Sequence, residues 1–100
     1  MMTILPLGSI VSLKGSAQLL MILGRGLEIE LDGQIRYYEY AGTEYPRGMV
    51  NDQVIYFNSD EISKVHYKGY SDASDKLAMN KINHYVQEKH PELLKRDYEA

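Results

Sequence analysis

Residues 27–48 read LEIELDGQIRYYEYAGTEYPRG, and the reading of this stretch decides the fold. Its first five residues alternate strictly, with Leu27, Ile29 and Leu31 set against Glu28 and Glu30. That two-residue period belongs to a half-buried strand. Asp32-Gly33 follows, a dipeptide suited to the positive φ angles of a tight hairpin turn. A second strand leaves the turn carrying Tyr37, Tyr38 and Tyr40, until Gly42 and Tyr45-Pro46-Arg47-Gly48 form a corner. Proline fixes φ and has no N–H for a ladder, so the strand ends there or becomes an edge. The stretch is a β-hairpin, and the residues around it must supply what it packs on.

Loop length sets which side chains of the hairpin share a face. A two-residue turn pairs Glu30 with Ile35 and Ile29 with Arg36. A three-residue loop through Gln34 pairs Leu31 with Ile35, Ile29 with Tyr37 and Glu30 with Arg36. The second register matches apolar with apolar and acid with base, and is the expected one. It turns Ile35 and Tyr37 inward and leaves Tyr38 and Tyr40 on the opposite face with Glu28 and Glu30.

Upstream, Pro6 and Gly8 introduce a strand at residues 9–14, and Gly15-Ser16 makes a turn. The apolar run at 17–23 has the length of a central strand. Gly24-Arg25-Gly26 reads as a break or bulge, since a phosphate loop would need a third glycine and a following helix. Downstream, Asn51-Asp52 is a turn pair, and 54–57 (VIYF) is a short β-branched and aromatic strand. Asn58-Ser59-Asp60 caps a single helical turn over 60–63. A last strand at 64–68 sets Val65 and Tyr67 against Lys64, His66 and Lys68. From Ser71 the period becomes 3.6, with Asp72 or Ser74 as cap and Ala78, Ile82, Tyr85 and Val86 on one face. Pro91 stops this helix, and the residues beyond it include one further candidate turn at Leu93-Leu94. The expected architecture is α+β: a small curled antiparallel sheet or half-open barrel of about five strands, followed by one C-terminal amphipathic helix. Residues 1–90 are expected to form a single domain and 91–100 a short charged C-terminal tail.

Composition narrows the function. Eleven Lys and Arg against fourteen Asp and Glu give a net charge of −3, without the basic excess of a nucleic-acid binder. No cysteine is present, so thiol catalysis, disulfides and Cys-ligated zinc are excluded. The N-terminal MMTILPLGSIV lacks a basic leader and is broken by Pro6 and Gly8, so the expectation is a cytoplasmic chain without a membrane span. His84 and His90 stand six apart, outside the i+3 or i+4 spacing of a helical metal pair, and are read as solvated. His66 between two lysines is read as exposed. Glu28/Glu30 and Asp60/Glu61 are explained by a solvated face and a cap rather than a catalytic pair. The serines lie in no nucleophile-elbow context. The expectation is a non-enzyme with no catalytic residues, no metal and no cofactor.

Tyrosine is the informative residue. Seven of the nine fall between Tyr37 and Tyr70. Core filling and cross-strand pairing account for some of them. A chain this small cannot bury every ring, and tyrosine is favoured where one protein binds another. The candidate partner-binding residues are Tyr38, Tyr40, Tyr45, Tyr56 and Tyr70.

The segments LPLGSIVSLKG (5–15), LLMILGR (19–25), YEYAGTEYPRG (38–48) and FNSDEISKVHYKGY (57–70) occur here in order. In this the chain resembles a family of small uncharacterised proteins encoded beside type VII secretion genes in Gram-positive bacteria, often near genes for LXG toxins. The resemblance covers about residues 5–70 and a following helix. It departs after the Gly-Tyr pair, where Ser71, Ala73, Ser74 and Lys76 dilute the acidic character. The resemblance implies a non-enzymatic accessory of type VII secretion, an adaptor or chaperone that binds a cognate toxin or effector before export. An immunity protein that neutralises a toxin is the alternative. A barrel-type domain binding a peptide or RNA is a weaker third, which the net acidity disfavours.

Overall fold

The chain builds β1 (Ile10–Leu13), β2 (Leu19–Leu31), β3 (Gln34–Tyr45), β4 (Ile55–Phe57), a 3-10 turn (Ser59–Glu61), β5 (Ile62–Tyr67) and the helix α1 (Ala73–Lys89). These come from a computed structural model that describes residues 4–92. The candidate turn at Leu93-Leu94, and the tail from 93 onward, lie outside the described residues. The strands form one antiparallel sheet in the order β4-β3-β2-β1-β5. The expected α+β architecture is therefore present, with a sheet that is curled but not closed.

Connectivity forces the curl. β4 and β5 occupy opposite edges of the sheet, yet only residues 58–61 separate them. Across a flat sheet of five strands the gap would be about 19 Å. A 3-10 turn of three residues advances only about 6 Å. The edges must approach each other, so β2 and β3 bend. The bend is placed at a register shift between Ile22 and Gly24. The Gly24-Arg25-Gly26 segment is thus a bulge inside one thirteen-residue strand rather than an end between two.

The hairpin has the two-residue turn, not the longer loop. Glu30 stands opposite Ile35, Ile29 opposite Arg36, and Glu28 opposite Tyr37. Asp32 and Gly33 both take positive φ, 52° and 78°, the conformation whose twist matches the flanking strands. The apolar matching that favoured the other register has little force here, because Leu31 and Ile35 are both exposed at the hairpin tip. Turn geometry prevails where burial is absent.

The core gathers Ile4 and Leu5 from the N-terminal segment, Val11, Leu20 and Ile22, Tyr40 and Phe57, Ile62, and Val86 from α1. Met79 and Ile82 of the helix pack against it. Asp72 caps α1, its carboxylate accepting from the Asp75 N–H at 3.0 Å. The 3-10 turn is tied to β3: the Glu39 N–H donates to Asn58 Oδ1, while the Ser59 N–H donates to the Glu39 carboxylate at 2.8 Å.

Candidate functional site

β4 is three residues long, Ile-Tyr-Phe, and hydrogen-bonds to β3 on one side only. Period-2 alternation sends Phe57 into the core and Tyr56 out of it. Tyr56, 38% exposed, meets the half-buried Tyr38 of β3 with ring centroids 5.4 Å apart. Further along β3, Tyr45 is 45% exposed at the corner before Pro46. The loop over residues 46–54 adds exposed Met49 and Val50. Between loop and strands lies an open cleft of about 300 Å³, lined by Thr43, Glu44, Arg47, Val50, Gln53 and Ile55 among others. An aromatic and aliphatic surface thus runs along one sheet edge.

The structure brings two of the five candidate tyrosines, Tyr38 and Tyr56, together at that edge and leaves Tyr45 exposed further along β3. Tyr70 is elsewhere. It is 78% exposed where β5 leads into α1, and its hydroxyl donates to Asp72 at 3.3 Å. Tyr40 is a correction, because it is 1% exposed and belongs to the core. Its ring stacks on Phe57, the residue opposite it in β4, with centroids 5.5 Å apart. Its hydroxyl accepts from the buried Leu5 N–H at 3.0 Å. A tyrosine in that position anchors the N-terminal segment and offers nothing to a partner.

A second polar cluster joins α1 to the sheet. Near the start of the helix, Arg25 meets Asp75 at 2.7 Å, with side chains only 7% and 12% exposed, and also donates to the Leu5 carbonyl. Burial pushes the Asp75 carboxyl up. The hydrogen bond from Ser71 and the Arg25 guanidinium outweigh that effect and hold it below the ordinary carboxylate range. At the other end Glu28 receives the Tyr85 hydroxyl on one oxygen and meets His90 Nε2 at 3.0 Å on the other. The hydrogen bond from Tyr85, then that from His90, lowers the Glu28 pKa, and the same contact raises that of Tyr85.

His90 also lies over the Tyr37 ring at 5.0 Å. Burial, and next the charge of Glu39, push the Tyr37 phenol up to about 12. Glu28, Tyr37, Tyr85, Ile82, Lys81 and Gly26 surround a shallow cleft of about 310 Å³. Glu28 keeps the exposed position expected of it while Tyr85 and His90 engage its two oxygens, whereas the His90 side chain is only 21% exposed rather than freely solvated. The two-residue register sets Glu28 beside Tyr37, and the last turn of α1 folds over both. These contacts tie the end of the helix to β2, and the sequence carried no local sign of them.

One nucleophile-like contact also escaped the sequence reading. Ser12 Oγ lies 3.0 Å from His66 Nε2 across the β1–β5 pair, with Ser63 Oγ at 3.2 Å. Among the described residues no carboxylate orients the other imidazole nitrogen, so the third member of a triad is absent. No group of three or more His, Asp or Glu among the described residues is placed to hold a metal ion. Among the described residues no helix is long and apolar enough to cross a membrane.

Residues 4–78 match the family model described as a domain of unknown function, DUF4176. No curated protein and no solved structure matches the chain. The matched region spans the whole sheet and the first turns of α1, so the aromatic edge lies inside it while Tyr85 and His90 lie outside.

Proposed function

The chain belongs to the DUF4176 family, and for this member we propose a role as a non-enzymatic accessory of type VII secretion: a cytoplasmic adaptor or chaperone that binds a cognate toxin or effector before export. One observation carries the protein-binding part of this reading. The sheet edge at β4 exposes Tyr56 beside Tyr38, with Tyr45, Met49 and Val50 nearby. Exposed aromatic rings of this kind, with aliphatic side chains on the adjoining loop, favour a binding face for another protein. The resemblance of segments 5–15, 19–25, 38–48 and 57–70 to proteins encoded near LXG toxin genes supports the choice of partner.

The test is co-expression with the co-encoded effector. A complex that survives size-exclusion chromatography is expected, along with a loss of effector stability or export when the gene is deleted. Effector level and export unchanged by the deletion would refute the chaperone role. Rescue of cells from the toxin's activity by this chain alone would show the immunity reading to be the correct one.

A further inference from the structure

We infer that β4 is a strand-addition site, which an extended segment of the effector completes as a sixth strand, its centre apolar and its two flanks basic. This rests on the effector-binding reading above and specifies its geometry. The backbone supplies the first argument. β4 pairs with β3 alone, and among the described residues Ile55, Tyr56 and Phe57 make no backbone hydrogen bond outside that ladder. Such a row of donors and acceptors is satisfied by an extended chain.

The second argument is the contrast between the two edges. β5, at the opposite edge, carries Lys64 and His66, with Lys68 directly after it. Lysines on an edge deter strand addition. β4 has no charged residue, no proline and no glycine. One edge is guarded and the other is open.

Charge selects the occupant. Exposed Asp52 precedes β4, and exposed Asp60 and Glu61 follow it. A two-fold antiparallel pairing of β4 with β4 of a second copy would bring the acids that flank the strand in one copy towards those of the other at both ends. Like charges brought close repel, so a second copy is disfavoured. A foreign segment with Lys or Arg at its flanks meets the acids productively. Alternate side chains of that segment would face the Tyr38–Tyr56 pair on one side and the Val50–Ile55 cleft on the other.

Hydrogen exchange on the full chain, alone and with the purified co-encoded effector, tests this. The amides of β4 are expected to exchange more slowly in the complex. Tyr56→Lys should weaken binding at least tenfold, and Asp52→Asn with Asp60→Asn should weaken it severalfold with a shallower salt dependence. A melting curve checks that each variant is folded, and the wild-type exchange pattern stands if Tyr56→Lys is not. If the complex forms with β4 exchange unchanged and wild-type affinity in the variants, strand addition is overturned while effector binding survives. Slowing that depends on the concentration of the chain alone would assign the edge to a second copy, again overturning the inference. The absence of any complex would overturn both readings.

Discussion

Replacing Tyr40 by Phe removes one oxygen from the core and leaves the rest of the ring in place. The stack on Phe57 survives, because it depends on the ring. What is lost is the acceptor for the Leu5 N–H, in a place where Leu5 is 1% exposed and water cannot substitute. Leaving a buried donor unpaired costs about 1–3 kcal/mol. The total stability of a chain this size is about 5–15 kcal/mol, so the variant should fold. For a domain of this size each kcal/mol moves the midpoint by about 4–8 °C, and a fall of about 5–20 °C is expected. Urea titration should show a lower midpoint with an unchanged slope, since the surface exposed on unfolding is nearly the same. Effector affinity, measured in parallel below both midpoints, should equal that of the wild type. An unchanged midpoint combined with weakened binding would refute the reasoning, for it would make the hydroxyl a contact group rather than an anchor.

Further outcomes follow from the same structure. Gly69→Ala would drive a Cβ into the Leu7 carbonyl oxygen and place it 2.9 Å from the Ser9 nitrogen, both backbone atoms, so a large loss of stability is expected in a thermal melt. At Gly33→Ala nothing lies within 4 Å, and only the positive φ of 78° opposes the change, so a smaller loss of about 1 kcal/mol is expected. Asp75 and Glu28 both have lowered pKa values, so their stabilisation is complete above the ordinary carboxylate range near 4 and is lost as pH falls through it. Melts from neutral pH down to about 3 should show this decline, and Asp75→Asn with Glu28→Gln should flatten it. Tyr37, raised from 10.0 to about 12, contributes stability that is present below pH 10 and lost as pH rises through 12. Tyr85 is raised as well by its contact with Glu28, so phenolate absorbance should show late-titrating phenols, of which Tyr37→Phe removes one.

Element types were legible in this sequence because the hydrophobic period announces them. The alternation at 27–31, the VIYF run and the switch to a 3.6 period after Ser71 each fall on the element they indicated. Register was not legible. The apolar match of Leu31 with Ile35 argued for a longer loop, but both side chains are exposed and the Asp32-Gly33 turn decided the pairing. Gly24 and Gly26 were ambiguous for a similar reason, since glycine permits both a chain break and a bulge. Only the ladder on either side shows that β2 continues through them.

The site divides in the same way. Tyr45 could be placed at the proline corner, whereas the uniformly apolar VIYF run gave no sign of which face Tyr56 takes. Tyr40 could not be placed, because its burial depends on Leu5 and Phe57, residues 35 positions earlier and 17 later in the chain. Asn83 was likewise invisible: a polar residue on the apolar side of α1, it is buried beside Val86. Glu28 and His90 meet across 62 positions, a distance no local pattern encodes.

The central claim is that the open β4 edge, with Tyr56 at its centre, binds the effector. Titration calorimetry of the purified chain against the purified co-encoded effector tests it most directly, with Tyr56→Ala and Tyr70→Ala run beside the wild type. The account predicts saturable binding that Tyr56→Ala weakens at least tenfold and Tyr70→Ala leaves unchanged. Equal affinities for all three chains, or no binding by any of them, would contradict it.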